Sequence, residues 1–116
     1  MSTIEKTPTR LALAALGLAA LCAATLPAAA APRPQAVQIH NFAFAPATLS
    51  VPVGTTVTWV NDDEDPHNVT AVDKTFRSSA MDTDDRYSFT FTRPGDYAYF
   101  CSLHPHMTGR ILVKAS

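Results

Sequence analysis

Seven consecutive residues near the C-terminus carry most of the chemistry in this chain: Cys101-Ser102-Leu103-His104-Pro105-His106-Met107. A thiolate, an imidazole and a thioether are soft to borderline donors. They suit copper, above all Cu(I), far better than magnesium or calcium. Two residues separate Cys101 from His104 and two separate His104 from Met107, so a single turn can return all three donors to one metal. Two histidines and a cysteine in a trigonal plane with a weak axial methionine make a blue-copper site, and the second histidine must come from elsewhere. His67 is the natural supplier, because it opens a β-run directly after the polar loop Asn61-Asp62-Asp63-Glu64-Asp65-Pro66.

Taken singly, each donor has an ordinary explanation. A lone cysteine is often a small apolar filler, Met107 reads as core, and His67 reads as a surface residue at a loop end. Jointly these explanations weaken, because Cys-x-x-His-x-x-Met directly after the aromatic run Tyr97-Ala98-Tyr99-Phe100 is rare by chance. Between the two nearby histidines, His104 is the expected ligand. Pro105 stiffens the turn after it, and His106 adjoins Met107, so the two side chains point apart and His106 should face solvent.

The first third of the chain differs from the rest. Met1 to Arg10 is polar and carries Lys6 and Arg10, and Leu11 to Ala31 is uncharged and nearly all Ala and Leu. A basic start, an apolar middle and small residues at the end describe a secretory signal peptide, with cleavage expected near Ala31 and no stable membrane insertion afterwards. An uncleaved anchor is the alternative, but the run is Ala-rich and ends in a good cleavage site. Cys22 is preceded by Leu21, which argues against lipidation. The expected organisation is therefore a signal peptide over 1–31, a Pro-rich leader over 32–35 and one domain over 36–116. Glu5, Lys6 and Arg10 leave with the signal, so 10 acidic residues become nine and nine basic residues become seven. That balance does not suit a nucleic-acid binder. Export, to the periplasm, sharpens the meaning of Cys101. It becomes the lone thiol of a domain in an oxidising compartment, where cysteines usually pair, and a bound metal accounts for it.

The elements that must position these donors are strands. No 3.6-residue periodicity of useful length follows the leader. Ala36–His40 alternates, with Phe42 and Phe44 continuing one residue out of phase, which predicts a bulge near Asn41. Thr48–Val51 and Thr56–Val60 read as strands around a turn at Pro52-Val53-Gly54-Thr55, with Val57 and Trp59 on one face. His67–Val72 reads as a short strand and residues 73–85 as irregular. Arg86–Thr92 alternates, Arg93-Pro94-Gly95-Asp96 reads as a type II turn, and Tyr97–Cys101 and Gly109–Lys114 close the set. Seven to eight strands in so short a domain predict an all-β fold, a small Greek-key β-sandwich.

Several of these pieces together resemble the cupredoxin (type 1 blue-copper) family, most closely its amicyanin and plastocyanin groups. The matching segments are Asn41-Phe42-Ala43-Phe44, Leu49-Ser50-Val51, Thr56 through Asn61, Pro66-His67-Asn68-Val69, Tyr87 through Phe91, and Tyr99 through Met107. The ligand loop has the short amicyanin spacing. Plastocyanins have a longer gap before Met and azurins a longer gap before His. The resemblance implies one copper ion, Cu(2+)/Cu(+), held by His67, Cys101, His104 and Met107. It also implies that Asn68 ties the two ligand loops together and places a backbone N–H near the Cys101 sulfur. It implies a periplasmic monomer that shuttles single electrons between redox proteins such as a c-type cytochrome or a periplasmic dehydrogenase. Two positions depart from the amicyanin pattern: Leu103 stands where Pro is usual, and His106 where an aromatic residue is usual.

Other chemistries find little support. Four protein donors leave no open metal position for a substrate, and no catalytic triad, carboxylate pair or Gly-rich phosphate loop is present. An enzyme is therefore not expected. Copper delivery is the alternative function, although the domain has only Met81 and Met107 to offer, and Met81 reads as core. Asp62-Asp63-Glu64-Asp65 reads as a solvated loop, with a docking patch beside the site as the sharper alternative. Asp82, Asp84 and Asp85 lack the Gly and terminal Glu of a calcium loop, and His40 reads as exposed.

Overall fold

Strict alternation of burial along Thr56–Asn61 shows how the sequence builds this molecule: Val57, Trp59 and Asn61 are buried while the residues between them are half-buried. The computed structural model describes residues 32–115, so the proposed signal peptide lies outside the described residues. Eight strands follow in order: β1 (Gln35–His40), β2 (Ala43–Ala45), β3 (Thr48–Pro52), β4 (Thr56–Asn61), β5 (Thr70–Ala71), β6 (Arg86–Thr90), β7 (Gly95–Cys101) and β8 (His104–Lys114). They form two four-stranded sheets, ordered β2-β1-β4-β6 and β3-β8-β7-β5. The β1–β4 and β3–β8 pairs are parallel and the others antiparallel. The all-β sandwich expected from the sequence is the fold observed.

Aromatic rings fill the space between the sheets. Trp59 from one sheet meets Tyr99 from the other at 5.5 Å between centroids, edge to face. Phe76, from the segment between β5 and β6, lies 5.6 Å from Trp59 and 5.5 Å from Phe91. Each such side chain, fully buried, stabilises the fold by about 1.5–3 kcal/mol. The cost is polar: the indole Nε1 of Trp59 and the hydroxyl of Tyr99 are buried with no hydrogen-bond partner among the described residues. Burial pushes the Tyr99 phenol up to about 12.

Three local expectations are corrected. The bulge expected near Asn41 is a two-residue hairpin turn: His40 pairs with Ala43, and Asn41 and Phe42 both have positive φ, 52° and 58°. Type I′ turns need that sign at both central residues and usually obtain it from Asn-Gly, so Asn-Phe hides the turn. The strand expected over His67–Val72 shrinks to Thr70–Ala71, because His67 is held by an isolated bridge to Met81. The type II turn at Arg93–Asp96 would need positive φ at Gly95, but among the described residues Gly54, with φ 93°, is the positive-φ glycine. Gly95 instead opens β7 opposite Val113, with the Tyr97 ring packed on it and the Tyr97 hydroxyl donating to Arg93 O at 2.8 Å.

Candidate metal centre

The β7–β8 hairpin brings Cys101 and His104 together by its own register. They are the last pair of the ladder, just after an irregularity between Phe100 and Cys101. Cys101 is fully buried and His104 half-buried, while Pro105 and His106 are exposed. Met107 returns to the interior at 2% exposure and belongs to the same core cluster as Cys101, Ile111 and Val113. The expected separation of His106 from Met107 is therefore what the backbone produces.

His67 arrives from the opposite side. Its backbone exchanges two hydrogen bonds with Met81, N–H to O at 3.2 Å and O from N–H at 2.8 Å, and its ring is fully buried. His67 Nδ1 lies 3.2 Å from His104 Nδ1, and Cys101 Sγ lies 3.8 Å and 3.7 Å from those two nitrogens. Among the described residues, this is the one cluster of three His, Cys, Asp or Glu side chains able to hold a metal ion. A point equidistant from all three atoms would lie about 2.1 Å from each, within the range of roughly 2.0–2.3 Å for metal bonds to imidazole nitrogen and thiolate sulfur. The donor set and its spacing thus fit a single small, soft-to-borderline ion.

Hydrogen bonds hold this triangle in place. The backbone N–H of Asn68 points at Cys101 Sγ, 3.3 Å away. Asn68 Oδ1 accepts from the Ser102 N–H at 2.8 Å and from the Thr70 hydroxyl at 3.1 Å, and Asn68 Nδ2 donates to the Ser102 hydroxyl. One asparagine therefore ties the His67 segment to the turn that follows Cys101.

Asp63, taken from the sequence as part of a solvated run, is a structural part of the site. Its side chain is 10% exposed, and Oδ2 lies 2.9 Å from His67 Nε2. The same carboxylate accepts the N–H groups of Asn41 (2.8 Å) and Phe42 (2.9 Å). Burial disfavours its charge, but the N–H groups of Phe42 and Asn41 and the neighbouring His67 together outweigh that and hold its pKa below the usual carboxylate value. A carboxylate on one ring nitrogen fixes the imidazole tautomer and leaves the other nitrogen free to bind metal. Asn61 supports the loop from beneath. It is fully buried, accepts from the Asp63 N–H and donates to the carbonyls of Asp65 and Met81, each at 2.9 Å. Asp62, Glu64 and Asp65 are exposed.

Sequence reasoning thus missed Asp63, Asn61 and Phe42. An acidic residue four positions before a candidate ligand histidine was the available signal for Asp63. Nothing local marked Phe42, whose ring stands edge-on to both imidazoles, 5.1 Å from each centroid. Around the half-buried His104, Phe42 and Leu103 are exposed by 41% and 49%. Asp82 and Asp85 close their own turn, the Asp82 N–H donating to Asp85 Oδ2 at 2.9 Å.

Comparison with known proteins agrees with this geometry. Residues 34–114 match the family model described as copper binding proteins, plastocyanin/azurin family. The amicyanin of Paracoccus denitrificans is 37% identical over 83 residues, covering 67% of this chain and 63% of that protein. The chloroplastic plastocyanin of Tetradesmus obliquus is 33% identical over 84 residues, covering 61% and 58%. The chain thus spans less than two thirds of the length of these relatives. Among solved structures, a purple cupredoxin from Nitrosopumilus maritimus superposes with a TM-score of 0.67 at 36% identity, covering 69% of this chain and 99% of that one.

Proposed function

Because this chain belongs to the plastocyanin/azurin family of copper-binding proteins, we propose that it is a type 1 copper electron carrier of the periplasm, with His67, Cys101, His104 and Met107 as ligands. The carrying observation is the convergence of two imidazole Nδ1 atoms and one thiol sulfur, 3.2–3.8 Å apart, at a closed and largely buried position. Bound copper supplies a one-electron Cu(II)/Cu(I) couple.

The chain's own residues do the rest. Asp63 and the Met81 bridge hold His67, the β7–β8 register holds Cys101 and His104, and Asn68 locks the two segments together. Donors fixed in this way change little between oxidation states, which favours fast electron exchange. The Asn68 N–H draws charge from Sγ and tunes the potential of the site. Half-exposed His104, rimmed by Phe42 and Leu103, offers the natural contact for a redox partner such as a c-type cytochrome or a periplasmic dehydrogenase. Carriage of electrons, as a monomer, rather than catalysis or copper delivery, is the reading that this closed donor set favours.

The deciding measurement is the absorption spectrum of the copper-loaded protein. An intense charge-transfer band in the red, lost in Cys101→Ser, is the expected result. A pale product that hands Cu(I) rapidly to a competing apo-protein would reverse the choice in favour of delivery.

A further inference from the structure

The turn between β1 and β2 does more than join two strands. Asn41 and Phe42 both sit at positive φ, 52° and 58°, a conformation that is a true outlier for a bulky residue such as phenylalanine. Strained backbone of this kind persists only where the surroundings over-determine it. Here the surroundings are the β1–β2 pairing that closes the turn and a single carboxylate: Asp63 accepts the N–H of Asn41 on Oδ1 and the N–H of Phe42 on Oδ2. The same Oδ2 also contacts His67 Nε2 at 2.9 Å. The turn and the candidate ligand are therefore fastened to one group.

What the strained turn presents is the Phe42 ring. It stands edge-on to His67 and to His104 at 5.1 Å and interplanar angles of 88° and 84°. The two imidazoles it packs against are those beside the thiol: their Nδ1 atoms lie 3.8 Å and 3.7 Å from Cys101 Sγ, and His67 and Cys101 are fully buried. A hydrophobic ring on a strained turn, with both of the turn's N–H groups held by one carboxylate, is placed to act as a cover.

We propose that Phe42 is a shutter over the donor cluster, latched by Asp63, that limits the access of soft metal ions and thiol-reactive molecules to Cys101. Its role in metal entry rests on the proposed ligand set; its role in shielding the thiol does not. In an oxidising compartment an accessible thiolate is open to oxidation before metal arrives, and the shutter slows that loss. Asp63 acts as a positioning residue, since it touches the ring's backbone and not the sulfur.

The test uses the metal-free protein and iodoacetamide, with alkylation read at Cys101 by peptide mass. Phe42→Ala should raise the rate about tenfold, by removing a local barrier to opening. Phe42→Gly, which suits the turn's positive φ, should do the same without disturbing the hairpin. Asp63→Asn should raise the rate to a similar degree, and adding it to Phe42→Ala should produce no further increase, because both act on one element. Val72→Ala, at an exposed apolar position elsewhere, should leave the rate unchanged. The proposal is overturned if removing the ring leaves alkylation at the wild-type rate. It is equally overturned if the rise only tracks the change in global unfolding measured in urea, or if the Asp63 and Phe42 effects multiply. A pale copper-loaded protein alongside the expected alkylation pattern would sink the ligand assignment and leave the shutter standing.

Discussion

The Asp63 carboxylate and the Cys101 sulfur grip opposite sides of one ring: Oδ2 lies 2.9 Å from His67 Nε2, and Sγ lies 3.8 Å from His67 Nδ1. In the orientation observed, Nδ1 faces the sulfur while Nε2 meets the carboxylate. A loop residue four positions upstream thus helps set the orientation of the His67 ring.

Asp63→Asn should weaken metal binding by about 10–100-fold, the usual consequence of removing the hydrogen-bond partner of a ligand histidine. Competition with a chelator of known affinity measures this directly. Binding at wild-type strength would mean that the Met81 bridge alone orients His67.

The two histidines of the β8 segment should behave oppositely. His104→Ala should abolish the red charge-transfer band or open the site to added ligands, since His104 Nδ1 is 3.7 Å from Sγ. His106→Phe should leave the band intact, since His106 is exposed and outside the donor cluster. The reverse pattern, seen in the optical spectra of the two variants, would remove His104 from the ligand set.

Tyr99 should govern part of the alkaline unfolding. Burial raises its pKa to about 12, above the value of about 10 for an unfolded tyrosine, so the folded state favours the neutral phenol. The resulting stability is complete below about pH 10 and is lost as pH rises through about 12. Tyr99→Phe should remove the last-titrating component of the tyrosinate absorbance and flatten the stability profile between those limits. At neutral pH the same change should be neutral or stabilising by about 1 kcal/mol, because it deletes a buried hydroxyl without a partner. A loss of several kcal/mol at pH 7 in urea melts would contradict this.

Gly109→Ala should destabilise the domain by about 1–3 kcal/mol through overpacking. Gly109 pairs with Tyr99 across the β7–β8 ladder, and a Cβ there would overlap the Tyr99 ring and hydroxyl. Denaturant melts of the variant check it. Tyr99→Ala in the same chain should relieve the overlap, so that the double variant is more stable than the two separate losses would add up to.

Cys101, His104 and Met107 were legible in the sequence because a hairpin is a local object. Two residues between paired strand ends leave few ways to fold, and the donor types narrow the metal. The strands were legible for a similar reason: alternation such as that of β4 is the direct imprint of one buried and one solvated face. His67 was legible as a candidate from its place at a loop end, and its distance from the sulfur required the whole sandwich to form.

Residue types and alternation were enough to read the donor types, the two-sheet fold and the parting of exposed His106 from buried Met107. Tertiary structure alone decided that Asp63 faces His67, that Phe42 lies across both imidazoles and that Gly95 continues a strand. Each outcome needs a partner from a distant segment, as when the N–H groups of residues 41 and 42 find the carboxylate of residue 63 or Gly95 pairs with Val113. A charged residue in an acidic run looks solvated until the chain closes around it. Only then does its low-energy state become the one that accepts three N–H groups at once.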